Sequence, residues 1–69
     1  MIKDEVNWNK LIDLAIERHG KDDAIEKHRQ GRLYPLKVLR SDNSLTYYIM
    51  LAPEEKGGDA EIYAELRIK

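Results

Sequence analysis

The sequence predicts an α+β domain in which two N-terminal helices pack on a three-stranded antiparallel β-meander. Two observations carry this. Apolar residues recur on a helical period from Trp8 to His19, and from Leu33 onward the period becomes two. Gly20, Gly31 and Asp42-Asn43 stand between the periodic segments, where chain breaks and turns are needed.

The first helix is expected over about 7–19. Trp8, Leu11, Ile12, Ala15, Ile16 and His19 form one stripe. Asn7 suits the N-cap, which makes Val6 and Leu11 a hydrophobic staple; a start at Asp4 competes with this reading. Gly20 suits the left-handed position after the last turn. A shorter helix is expected over about 22–30, capped by Asp22 and closed by Gly31, with Ala24, Ile25 and His28 as its only apolar side.

Three strands follow, at about 33–40, 45–52 and 60–68. Alternation assigns Tyr34, Leu36 and Val38 to the core face, then Leu45, Tyr47, Ile49 and Leu51, then Ala60, Ile62, Ala64, Leu66 and Ile68. A tight turn centred on Asp42-Asn43 sets Leu36 opposite Ile49, Val38 opposite Tyr47 and Tyr34 opposite Leu51. Pro35 lacks an N–H, so the first strand is expected at an edge. The second connection is expected either as a Gly57-Gly58 turn or as a looser loop. Residues 1–69 are read as a single domain.

Sixty-nine residues support only a few kcal/mol of net stability, so association or partner binding matters. The apolar fraction is 42% and the charged fraction 36%, which describes a folded domain with a charged surface. The formal net charge of −1 conceals a basic stretch, Lys27 to Arg40, that contains no acid. The absence of cysteine removes disulfides, thiolate zinc sites and a Cys nucleophile, and fits a cytoplasmic location. Asp4 and Glu5 interrupt the first apolar run, so neither a signal peptide nor a membrane span is expected.

No arrangement for catalysis is legible. His19 and His28 lack a metal-ligand spacing, and Asp22-Asp23 and Glu54-Glu55 read as helix cap and solvated loop. Ser41, Ser44 and Thr46 read as turn and strand residues, and Gly57-Gly58 lacks the lysine of a phosphate loop. No enzyme, cofactor or metal is therefore expected.

The surfaces carry the functional expectation. The same alternation places Lys37, Leu39, Thr46, Tyr48, Met50, Tyr63, Glu65 and Arg67 on the outer sheet face. Tyr48, Met50 and Tyr63, rimmed by Lys37 and Arg67, have the composition of a protein interface. The last strand, 60–69, is expected to leave a free edge open to another chain, a homodimer included. The leading expectation is a binding protein that occupies a macromolecular partner through one of these surfaces. Small proteins of this class are common among phage and mobile-element inhibitors of host enzymes or defence complexes, CRISPR nucleases included; size and class alone carry that remark. The alternative is nucleic-acid binding through Lys27, Arg29, Arg32, Lys37 and Arg40. A helix-turn-helix fits poorly, because Asp22, Asp23 and Glu26 would lead its recognition helix against phosphate.

Overall fold

The computed structural model describes residues 3–68. Its elements follow the predicted order: α1 (Lys3–His19), α2 (Lys21–Arg29), β1 (Leu33–Leu39), β2 (Leu45–Leu51) and β3 (Glu61–Ile68). The strands form one antiparallel sheet in the order β1-β2-β3, so both β1, with Pro35, and β3 are edges.

α1 begins a turn earlier than the Asn7 cap predicts, which corrects both cap and staple. Asp4 and Glu5 occupy the first turn, where negative charge offsets the helix dipole. Asn7 lies inside the helix, and its Nδ2 donates to the Tyr47 hydroxyl at 3.3 Å. Gly20 ends α1 by donating to the Ile16 carbonyl at 2.8 Å, and its φ of 91° turns the chain directly into α2. Asp22 is therefore within α2 and caps nothing. α2 closes as a Schellman turn: Gly31 donates to the His28 carbonyl and Arg32 to that of Lys27. It packs on α1 with only Ala24 reaching the core.

The core lies between the helices and one sheet face. Leu11 and Ala15 meet Tyr47, Tyr63 and Ala64, with Trp8, Leu45, Ile49, Leu51, Leu66 and Ile68 around them. The predicted inner sets of β2 and of the C-terminal half of β3 are therefore correct.

β1 is turned over relative to the sequence expectation. Leu36 faces Tyr48, Val38 faces Thr46 and Tyr34 faces Met50. The cause is the hairpin loop. Arg40 donates to the Ser44 carbonyl and Asn43 to that of Arg40, so residues 41–43 form a three-residue loop with Asn43 left-handed at φ 68°. Asp42 Oδ1 accepts from both the amide and the hydroxyl of Ser44, which fixes that geometry. One extra loop residue shifts the register by one and exchanges the faces of the whole strand. Leu33, Pro35 and Lys37 consequently face the helix side, and Tyr34, Leu36 and Val38 face away.

β3 carries a second departure. The register shifts between Ile49 and Met50, which face Ala64 and Ile62. Tyr63 is the extra residue of this bulge and turns inward, whereas Ile62 points outward. The looser form of the second connection, residues 52–60, is the one adopted. Arg32 anchors its start, through Nε to the Ala52 carbonyl at 2.9 Å and a 3.4 Å contact to Glu54.

Candidate functional site

Two polar clusters tie the helices to the inner sheet face. Tyr47 is 1% exposed, and its hydroxyl donates to Asp4 Oδ1. Its ring meets Trp8 edge-on, with centroids 4.9 Å apart. Lys37 reaches back from β1 to Asp4 Oδ2 at 2.9 Å, and its ammonium lies 5.8 Å from the Tyr47 ring centre. This explains how a lysine occupies the helix-side parity of β1. Tyr63, 4% exposed, donates to Asp23 Oδ2 at 2.7 Å and stacks on His19 at 3.8 Å. The His19 Nε2 contacts the Tyr63 carbonyl at 2.6 Å.

These contacts set the protonation behaviour. The Tyr47 hydroxyl, then Lys37, holds Asp4 below the ordinary 3.8, and the Tyr63 hydroxyl, then Lys27, does the same for Asp23. Ser44 lowers Asp42. Burial, then Asp23, raises Tyr63 from 10.0 to about 12. Depressed carboxylates stabilise the fold above their unfolded values and lose that contribution as pH falls through the folded ones. The raised phenol contributes fully below pH 10.0 and loses its contribution as pH rises towards about 12. Stability is thus expected to form a plateau from just above pH 3.8 to about pH 10.0. In an alkaline spectrophotometric titration compared with a Tyr63→Phe variant, the Tyr63 phenol should ionise near pH 12, together with loss of the helical circular dichroism signal. Ionisation of the Tyr63 phenol near its ordinary 10.0 would contradict its placement.

Among the described residues no layer lies over the outer sheet face, because both helices lie on the other side. Its cross-strand rows run Tyr34–Met50–Ile62, Leu36–Tyr48–Glu65 and Val38–Thr46–Arg67. Leu36 is 43% exposed and Ile62 56%. The apolar end is opposite the hairpin loop. At the loop end, Arg40 donates to Thr46 Oγ1 at 3.0 Å and to the Tyr48 hydroxyl at 2.8 Å, and Arg67 lies 3.8 Å from Asp42. The face is therefore an apolar field with a cationic end.

Of the residues singled out from sequence, Tyr48, Met50 and Arg67 lie on this face. Tyr63 and Lys37 do not; the bulge turns the first inward, and the register turns the second towards α1. Leu39 shares the helix-side parity and is exposed beyond the core. Tyr34, Leu36, Val38 and Ile62 join the face in their place. The signal that could have found the first three was Asn43 after Asp42, which suits a three-residue loop with a left-handed last position.

Tyr34 also lines a groove of about 650 Å³ between the helices and the β1 edge, together with Trp8, Ile12, Ile25 and Pro35. Apolar surface thus continues around the edge of the sheet. Among the described residues, Lys21 and His28 are the only ionisable side chains other than tyrosine along that groove.

The five basic residues from Lys27 to Arg40 do not form one stripe. Lys27 pairs with Asp23, Arg32 with Ala52 and Glu54, Lys37 with Asp4, and Arg40 with Thr46 and Tyr48. Among the described residues, no helix is long and apolar enough to cross a membrane, and no three His, Asp or Glu side chains gather where a metal ion would sit. No protein-family model matches the chain, and comparison with curated proteins and with solved structures found no match.

Proposed function

We propose that this chain is a binding protein that acts by occupying a protein partner through its outer sheet face. One observation carries the reading: Leu36 and Ile62 stand open on a face that also holds Tyr34, Val38, Tyr48 and Met50, with no element of the described residues above it. A small domain gains nothing in stability from open aliphatic side chains, and tyrosine, methionine and apolar residues within a polar rim are what protein interfaces concentrate. Arg40 and Arg67 at the loop end select a partner whose apolar patch is flanked by acid. A small inhibitor of a host enzyme or defence complex is the setting that suits its size.

Nucleic-acid binding has less support, because three of the five cations from Lys27 to Arg40 are already paired with carboxylates of the chain. Oligonucleotide binding that falls steeply with salt would move the reading to that alternative.

The test is the double variant Leu36→Lys/Ile62→Lys. Both side chains are exposed, so the thermal midpoint should stay close to that of the parent. A partner captured from the source organism and identified by mass spectrometry should lose at least tenfold in affinity, since these positions lie within the apolar field. Undiminished binding of the double variant would overturn the assignment of this face.

A further inference from the structure

We propose that a second copy of this chain pairs antiparallel with the free edge of β3, extending the sheet to six strands about a two-fold axis at Leu66. The inference rests on this edge alone and stands or falls separately from the outer face.

The hydrogen-bond phase of the sheet identifies the free groups. Arg40 donates to the Ser44 carbonyl and Ala52 to that of Arg32, which aims the backbone of Thr46, Tyr48 and Met50 at β1. Leu45, Tyr47 and Ile49 therefore bond to β3, through Ile68, Leu66 and Ala64. Glu65 and Arg67, between them, aim their N–H and C=O groups away from the sheet. The Tyr63 carbonyl, one step earlier, is engaged by His19. The open stretch is short and well defined.

Only three two-fold registers join these outward groups. One sets Glu65 against its own copy and another sets Arg67 against its own copy; both oppose like charges, which disfavours cross-strand pairing. The third sets Glu65 against Arg67 of the second copy, twice over. The same register brings Leu66 against Leu66 and Ala64 against Ile68 on the helix side, continuing the apolar inner face across the seam.

The helix layer supplies an independent observation. Leu14 of α1 is 40% exposed and lies with Glu17 and Arg18 beside Ala64 and Glu65, at this edge. A second copy on this edge covers that leucine, and the neighbouring Glu17 and Arg18 offer both signs of charge to it. Self-complementarity of this kind is what a two-fold interface requires. The resulting dimer carries both outer faces on one side of a continuous sheet.

Sedimentation velocity on the parent chain and on charge variants tests this. The parent should dimerise. Glu65→Arg and Arg67→Glu, each alone, should weaken association about tenfold or more, because each sets like charges opposite twice. Arg67→Glu also removes the contact to Asp42, an exposed pair of small worth, and circular dichroism should show both variants folded. An equimolar mixture of the two should recover a heterodimer, and the double exchange Glu65→Arg/Arg67→Glu should dimerise alone. A parent that is monomeric up to millimolar concentration overturns the proposal. So does a dimer indifferent to these exchanges, or one lost instead on Leu36→Lys.

Discussion

Tyr47→Ala should leave the chain largely unfolded at 25 °C, with a circular dichroism spectrum lacking helical signal and no cooperative thermal transition. Tyr47 is the largest fully buried side chain among the described residues. It touches both layers: its ring packs against Trp8, and its hydroxyl joins Asp4 and Asn7 of α1. Truncating a buried aromatic costs about 3–5 kcal/mol in lost transfer free energy and cavity formation. A domain of this size has roughly that much net stability. Lys37 adds to the effect, because its ammonium lies over the same ring and shares Asp4. Tyr47→Phe separates the contributions. It keeps the ring and removes the hydroxyl, so it should fold with a lower denaturation midpoint. An intact Tyr47→Ala variant would show that α1 is not held to the sheet at this point.

Tyr63→Ala should unfold the chain to a similar extent, whereas Tyr48→Ala should not. The two tyrosines look equivalent in the sequence pattern, which expects both on the outer face and both replaceable without loss of the fold. The bulge separates them. Tyr63 enters the core, stacks on His19 and bonds Asp23, so it joins β3 to both helices. Its removal creates a cavity and leaves that carboxylate without its hydroxyl donor, at about 3–5 kcal/mol for the ring alone. Tyr48 is half-buried on the open face and contacts Arg40 at the rim. Its replacement should cost no more than about 1 kcal/mol, the scale of a cross-strand pair. Urea denaturation of the two variants distinguishes them. Equal losses of stability would place Tyr63 outside the core.

The helices and β2 were legible because their patterns have one answer. The Trp8 stripe fits a helix and no strand, and Leu45, Tyr47, Ile49 and Leu51 alternate with side chains that tolerate water. β1 offers no such choice. Its two faces, Leu33-Pro35-Lys37 and Tyr34-Leu36-Val38, are decided by loop length, and alternation favours the face without lysine. The three-residue loop reverses this, and Asp4, 33 residues away in the sequence, supplies the partner that lets Lys37 lie on the helix side. The bulge in β3 was equally illegible. It depends on Tyr63 finding Asp23 and His19, a long-range fit that a period of two does not contain. Both errors moved residues between core and surface, so the interaction face came out larger and more apolar than the sequence pattern implies.

The helices cover one sheet face and leave the other open. The chain has no cysteine, so single thiols introduced at chosen positions report exposure directly. Leu36→Cys and Ile62→Cys should react in the native protein nearly as fast as in denaturant, while Ala64→Cys and Ala15→Cys, on buried positions, should react only on unfolding. Leu36→Cys protected to the degree of Ala64→Cys would contradict the register of β1 and, with it, the open face.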